Sequence, residues 1–150
     1  MKIANSFSVA APPDRVFAYM LDINKVVGCV PGAELTEVVD AQTFKGKLTL
    51  KVGAVKAAFQ GTARIVDTQE EDNRAVVTVK ADGREIGGQG TARATLLLSV
   101  EGTPSGGTQV GINADFSVSG KFAQFGSRVM EDISQGLVNQ MGACIGAALR

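Results

Sequence analysis

The C-terminal stretch from Gly120 to Arg150 constrains the fold most, because its pattern predicts one long amphipathic helix. Apolar residues recur there every three or four positions, which is typical of a helix with a single apolar face. That face consists of Phe122, Phe125, Val129, Ile133, Leu137, Met141, Ile145 and Leu149. A face this wide must be covered by other parts of the chain, and the segments that precede it are the available cover.

The N-terminal part of the chain predicts one strand followed by two short helices. Residues Ile3 to Val9 alternate between apolar and polar, which indicates a half-buried strand. Pro13 suits the first turn of a helix that we expect to end near Met20. A second short helix is expected at about Ile23 to Val27, before a turn at Pro31-Gly32.

From Glu34 onwards the hydrophobic period is two, which predicts about six further strands. We place turns near Gly53 and at Asp82-Gly83-Arg84, and a polar loop from Asp67 to Asn73. The alternation favours an antiparallel sheet with one wet face. The predicted fold class is therefore α+β, a curved antiparallel sheet of about seven strands wrapped around a long C-terminal helix. Its length fits a single domain, residues 1–150.

Composition excludes several classes of protein and places this one in the cytoplasm. Fifteen basic and fifteen acidic residues give zero net charge, which argues against a nucleic-acid-binding module but allows a local basic patch. Cys29 and Cys144 lack the spacing of a metal or redox motif, so we expect two buried thiols in a reducing compartment. No apolar run is long enough to cross a membrane, and the N-terminus lacks a secretory signal.

The inward-facing rows of the predicted sheet contain many glycines and alanines among larger apolar residues. These small residues are Gly46, Ala57, Gly61, Ala63, Ala75, Ala81, Gly88, Gly90, Ala92, Ala94 and Ala114. Small side chains on the concave face leave room beneath the helix. Either an apolar cavity remains there, or Phe122, Phe125 and Met141 fill the space. Glycines also mark bends and bulges in a curved sheet.

Catalytic chemistry has few candidates in this sequence. The chain contains no histidine, which removes Ser-His-Asp and Cys-His nucleophile pairs and histidine metal sites. Carboxylates fall mainly on predicted loops and outward rows. The glycine-rich run from Gly83 to Gly90 does not lead from a strand into a helix, so it does not predict a phosphate cradle. Exposed arginines such as Arg64, Arg84 and Arg93 could bind anions, but such side chains are usually solvated.

Four stretches together resemble the carbon monoxide dehydrogenase CoxG family, within the START-like, helix-grip (SRPBCC) superfamily. They are Val30 to Leu35, Val52 to Gly61, Gly107 to Val110 and Val118 to Gly126, in the order of the family. The resemblance implies a sheet that grips the C-terminal helix. It also implies a non-catalytic accessory role beside a molybdenum-containing CO dehydrogenase or a related hydroxylase. Family members are thought to attach such enzymes to the membrane or to carry a quinone.

The first hypothesis is that an isoprenoid quinone or similar apolar lipid binds between the sheet and the helix, with no covalent cofactor. Longer relatives have a C-terminal extension that contacts the membrane. This sequence stops at Arg150, so at the inner face of the cell membrane we expect at most weak peripheral contact through Met141 to Leu149. The predicted ligand-binding residues are Val27, Val30, Leu48, Leu50, Phe59, Ala94, Phe116, Phe122, Phe125, Val129 and Ile133.

Two other hypotheses remain open at this stage. In the second, the protein is an adaptor or assembly factor that docks on the hydroxylase through its outer surface, without a ligand. In the third, it is an enzyme, because some helix-grip relatives cyclise or dehydrate polyketides. The absence of histidine and of inward carboxylates disfavours the third.

Overall fold

A computed structural model describes residues 1–52 and 54–150 as one antiparallel sheet with three α-helices and two short 3₁₀ turns. The turn predicted near Gly53 therefore lies partly outside the described residues. The strands and helices run in the order β1 Lys2–Val9, α1 Pro13–Leu21, α2 Ile23–Val26, β2 Ala33–Asp40, β3 Thr43–Val52, β4 Val55–Glu71, β5 Arg74–Glu85, β6 Gly90–Gly102, β7 Thr108–Gly120 and α3 Ser127–Ala148. The 3₁₀ turns are Val27–Cys29 and Lys121–Gln124.

The seven strands form a single sheet in the order β1-β7-β6-β5-β4-β3-β2, which confirms the predicted fold class. All neighbouring pairs are antiparallel. Strand β1 pairs with β7 from the other end of the chain, because α1 and α2 separate it from the meander that begins at β2. Strands β1 and β2 are thus the two edges of the sheet, and α3 lies on its inner face.

The C-terminal helix begins later than the sequence pattern predicts. Gly120 has φ +77°, and a side chain there would collide with the backbone carbonyl of Gln89. The chain then makes a 3₁₀ turn, becomes extended at Phe125, and enters α3 only at Ser127. The prediction of one helix from Gly120 was wrong because the apolar spacing of Phe122 and Phe125 serves a sharp turn rather than a helical face.

Two predicted connections are parts of strands in the structure. The expected loop from Asp67 to Asn73 is mostly strand, since β4 continues to Glu71 after a bulge near Asp67 and pairs there with β5. The expected turn at 82–84 lies inside β5, and the chain reverses between Glu85 and Gly90 instead. Both segments are polar because they lie in long exposed strands, a composition that also suits loops.

The end of the molecule at the C-terminus of α3 contains a dense core, which we call the base cluster. Its buried members are Val9, Ala11, Val16, Met20, Cys29, Val100, Val110 and Ile145. It joins α1, β1, β6, β7 and the end of α3. A buried polar group, the Thr108 hydroxyl, donates a hydrogen bond of 2.6 Å to the Ala11 carbonyl within the same region. The base cluster therefore ties the N-terminal elements to the end of the chain.

A smaller core, the tip cluster, lies at the opposite end of α3. Among the residues that the structure describes, its buried members are Ala57 and Phe122, at 1% and 3% exposure. The surrounding apolar side chains are half-buried: Leu50, Val55, Phe59, Val118, Phe125, Val129 and Ile133. This end of the molecule is consequently held by fewer fully packed side chains than the base.

The prediction of two free thiols was wrong, because Cys29 and Cys144 form a disulfide with a Cα–Cα distance of 5.4 Å. Their sequence separation of 115 residues gave no spacing signal, and only the fold brings the first 3₁₀ turn against α3. The argument for a reducing compartment from free thiols falls with it. Among the residues that the structure describes, no helix combines the length and apolarity needed to cross a bilayer.

Candidate ligand-binding site

Between the two clusters, the inner face of the sheet is only half-buried. On β7, Val118 packs in the tip cluster and Ile112 packs against the base cluster. Ala114 and Phe116 lie between them and are half-buried. Neither residue belongs to the base cluster or the tip cluster among the described residues. The apolar packing along this strand is therefore interrupted in its middle.

The neighbouring strand repeats this interruption. On β6, Leu98 packs against the base cluster, whereas Ala92, Ala94 and Leu96 are half-buried outside both clusters as described. The register places Ala94 opposite Phe116 and Leu96 opposite Ala114, so the uncovered residues are adjacent. We call the surface formed by Ala92, Ala94, Leu96, Ala114 and Phe116, together with the part of α3 that faces it, the inner gap.

The path of α3 explains why the inner gap is not covered. The helix approaches β1 and, over a shorter length, β3, which lie at or beside the opposite edges of the sheet. The strands between them make fewer close backbone approaches to α3. Midway along the helix, Gly136 is half-buried, yet an added Cβ would have no atom within 4 Å. The helix thus spans the curved sheet rather than filling it.

The predicted ligand-binding residues lie in three places. Ala94 and Phe116 are in the inner gap, and both also border the smaller of the two outer grooves. Leu50, Phe59, Phe125, Val129 and Ile133 are half-buried around the tip cluster, and Phe122 is buried within it. Leu48 is half-buried on β3 opposite Ala33. Val27 and Val30 are half-buried beside Cys29, in the turn that the disulfide joins to α3. Their contact with a ligand stays a prediction.

Phe122 closes the tip end of the inner gap. Its ring lies 5.3 Å from that of Phe59 and 6.4 Å from that of Phe125, measured between ring centroids. Such tilted and offset pairs are favourable arrangements for aromatic rings. Of the three side chains that the sequence offered as a plug, Phe122 is buried in the tip cluster, Phe125 packs against it, and Met141 is half-buried on α3.

Glycines and alanines on the inner rows have different roles. A Cβ on Gly46 or Gly61 would collide with backbone carbonyls of the neighbouring strand, so these glycines allow close strand approach at a bend. Ala94 and Ala114, by contrast, are half-buried inner-row residues whose side chains are small.

One carboxylate on the inner row was missed from the sequence. Glu85 is half-buried and lies opposite Phe59 in the register. Its carboxylate accepts a hydrogen bond of 3.3 Å from the Gln89 backbone N–H, so it also holds the β5–β6 turn. The sequence predicted that β5 ends at a turn over residues 82–84, which placed Glu85 outside the strand. A prediction with the correct length of β5 would have placed Glu85 on the inner row.

A second missed feature lies on the outer face of the sheet. Two open grooves there have volumes of about 580 Å³ and 680 Å³ and share Thr62, Asp82 and Arg93. We call this continuous surface the outer groove. Its charged residues are Lys45, Lys47, Arg64, Lys80, Asp82, Arg84, Arg93 and Asp115. No local motif predicts it, because the residues come from five strands and no strand contributes more than three of them.

A carboxylate with a perturbed pKa, Asp40, lies at the turn between β2 and β3. The Gln42 N–H donates to Asp40 at 2.8 Å and, with the Thr43 hydroxyl, lowers the pKa of Asp40 from its ordinary value. The charge of Arg64, a residue of the outer groove, acts in the same direction more weakly. Among the described residues, no group of three or more potential metal ligands occurs.

Solved structures with the same architecture identify the class of protein. A conserved protein from Geobacillus kaustophilus superposes with a TM-score of 0.82 at 19% identity, over 99% of this chain and 95% of that one. A protein from Thermus thermophilus gives 0.61 at 14% identity, over 100% of both chains. The Zhui aromatase/cyclase from a Streptomyces species gives 0.59 at 13%, over 99% and 90%. These likenesses show the fold alone, and the class is that of helix-grip proteins.

The family follows from the sequence itself. Residues 6–150 match the model of the CoxG family, which is described as the G subunit of carbon monoxide dehydrogenase, so the chain belongs to that family. Membership indicates an accessory role for CO dehydrogenase. No curated protein gives a significant match to the chain.

Proposed function

We propose that this protein is a non-catalytic accessory component of a molybdenum-containing CO dehydrogenase or related hydroxylase. In this role it holds an apolar ligand, an isoprenoid quinone or similar lipid, in the inner gap and delivers it to the enzyme or aids the enzyme's contact with the cytoplasmic face of the membrane. Family membership supports the accessory role. The observation that carries the ligand proposal is the half-buried, alanine-lined gap between two packed clusters.

The chemistry of the inner gap favours an apolar chain over a polar metabolite. Its central surface consists of alanines with Leu96 and Phe116, and the phenylalanines of the tip cluster close one end. Each buried methylene group contributes about 0.8 kcal/mol, so a prenyl chain of several units binds without a charged anchor. Glu85, which lies opposite Phe59 in the register, suits a polar head group rather than a tail.

The direct experiment is extraction of the purified protein. The protein is isolated from a quinone-containing host, extracted with organic solvent, and the extract is analysed by mass spectrometry. We expect an isoprenoid lipid in the extract. We also expect a higher Tm for stripped protein after addition of a short-chain prenylated benzoquinone, because a ligand at about 100 times its Kd stabilises the folded state by about 2.7 kcal/mol. A lipid-free protein that ignores the quinone contradicts the proposal.

A matched pair of variants locates the ligand. Ala94→Phe adds a ring inside the inner gap, whereas Leu97→Phe adds one on the same strand at an exposed outward position, where Leu97 is 43% exposed. We expect Ala94→Phe to abolish the quinone-induced rise in Tm and Leu97→Phe to keep it. Equal responses from the two variants would place the ligand elsewhere.

The second candidate is an adaptor that docks on the hydroxylase without a ligand. The outer groove favours it, because its charged residues lie on the face of the sheet away from α3. A pull-down of the partner enzyme with lipid-stripped protein separates the two functions. Docking that survives both stripping and Ala94→Phe supports the adaptor, and docking that needs the ligand opposes it.

A further inference from the structure

The charge of this neutral protein is unevenly distributed over its surface. The outer groove contains three lysines and three arginines but only two aspartates. One of these, Asp115, lies 3.7 Å from the N-terminal ammonium, which neutralises it. Acidic residues concentrate at the edge strand β2 and on the β4–β5 hairpin: Glu34, Glu37, Asp40, Asp67, Glu70, Glu71 and Asp72. The outer groove is therefore a basic surface on a protein with zero net charge.

No close ion pair joins a groove cation to an acidic group within the described part of the chain, although Asp82 lies directly opposite Arg93 on β5 and β6. The ion pairs there involve the N-terminus with Asp115 and Lys25 with Asp22, both without a groove cation. Arg64 and Lys80 are directly opposed on β4 and β5, a like-charge cross-strand pair that destabilises a sheet. The pair is exposed and gives the isolated protein no stabilisation, so an external anion would supply a favourable counter-charge.

The shape of the outer groove selects among anionic partners. The groove crosses strands β3 to β7, a span of about 19 Å at the usual spacing between strands. A flat bilayer does not enter a concave surface of this width. An extended polypeptide of about six residues has the same length. The cross-strand rows place basic residues at several points along this path, including Lys45, Arg84 and Arg93.

We propose that the outer groove is a docking surface for an acidic, extended segment of a partner protein. The partner's carboxylates pair with the groove arginines and lysines across the strands. This interaction is independent of the apolar ligand, because it uses the opposite face of the sheet. It identifies which surface of the protein faces an enzyme partner, and it leaves the inner gap free.

The test uses a fluorescein-labelled oligoglutamate peptide of about six residues as the probe, chosen to match the span of the groove. Fluorescence anisotropy measures its binding to the intact protein at low ionic strength. We expect saturable binding that weakens as salt is added, because exposed charge pairs are screened. Arg64→Gln/Arg93→Gln should weaken it about tenfold, and Arg64→Glu/Arg93→Glu should weaken it further.

The control variant is Arg15→Glu/Arg128→Glu, which changes net charge as much as the groove reversal but alters exposed residues on α1 and α3. We expect it to bind within about twofold of the unmodified protein. Circular dichroism and Tm confirm that each variant is folded, and the milder glutamine variant keeps the test valid if charge reversal unfolds the sheet. An equal loss in the control overturns the proposal, because net charge would then explain binding.

Two further outcomes also decide the proposal. Vesicles of an equal mixture of phosphatidylcholine and phosphatidylglycerol are offered in a separate sedimentation assay. Vesicle binding that depends on Arg64 and Arg93, without peptide binding, overturns it in favour of a membrane surface. Absence of peptide binding to the unmodified protein overturns it as well. Lipid-stripped protein should bind the peptide as well as unstripped protein, so failure of the ligand proposal and failure of this one remain distinguishable.

Discussion

The two ends of this molecule are built from similar apolar residues but are packed very differently. In the base cluster, Ile145 and Val110 are fully buried, and a disulfide and a buried hydroxyl reinforce the packing. In the tip cluster, Phe122 and Ala57 are buried while the isoleucine and valine of α3 stay half-buried. One end of the molecule therefore supplies stability, whereas the other end and the inner gap keep apolar surface available.

The disulfide should have the largest effect, since it belongs only to the base. Closing a loop of about 100 residues stabilises a protein by about 4.7 kcal/mol in the chain-entropy model. We expect reductant to lower the free energy of unfolding by about 4 kcal/mol, measured by urea denaturation. Cys29→Ala/Cys144→Ala provides the control, because reductant should not change its stability. Unmodified protein that ignores reductant would show that the cysteines are unpaired.

Two isoleucines on the same helix compare the ends directly. Ile145 is fully buried in the base, whereas Ile133 is half-buried at the tip. We expect Ile145→Ala to cost about 4 kcal/mol of unfolding free energy and Ile133→Ala about 1.5 kcal/mol, because the second site buries less surface and leaves a smaller new cavity. The same urea titration measures both. Equal losses would mean that the tip is packed as densely as the base.

The buried hydroxyl of Thr108 sharpens the comparison further. Thr108→Val removes the donor to the Ala11 carbonyl and leaves that acceptor unsatisfied in the base. We expect a loss of about 2 kcal/mol. The exposed Thr91, whose hydroxyl lies 2.5 Å from that of Ser119, is the matched control, and Thr91→Val should change stability by less than about 0.5 kcal/mol. A neutral Thr108→Val would show that water reaches the base.

Two glycines of α3 give the smallest and most local test. A Cβ on Gly142 would lie 2.8 Å from the Phe7 ring, whereas one on Gly136 would contact nothing within 4 Å. We expect Gly142→Ala to lower stability by about 1 kcal/mol through overpacking. Gly136→Ala should raise it by about 0.5–1 kcal/mol through helix propensity. Differential scanning calorimetry resolves the opposite signs, and a loss at Gly136 would contradict an open gap.

Much of the fold was predictable because the hydrophobic period of a helix or strand can be read from its own sequence, without knowledge of its tertiary contacts. The alternation of β3 and the three-to-four spacing of α3 each report which side of one element faces a core. Element ends were less predictable. Phe122 satisfies a helical spacing by position alone, but Gly120 turns the chain and directs that ring into the tip cluster. Polar segments such as Asp67 to Glu71 look like loops until a partner strand is known.

The candidate sites divide in the same way. Alanines on alternate positions of β6 predicted small inner residues, and Ala94 is half-buried on that face. Glu85 was missed because its strand was ended too early. The outer groove could not be predicted, since its cations come from β3, β4, β5 and β6. No two of these cations are adjacent in the sequence, so they form no local basic motif.

The sequence by itself determined the class of fold and the apolar faces of its elements, because these depend on local periodicity. Only the tertiary structure decided that Cys29 and Cys144 meet, that α3 spans the sheet edges above a gap, and that basic residues from four strands form one groove. The physical reason is that such features depend on distances between residues far apart in the chain, which curvature and strand order set and no local pattern encodes.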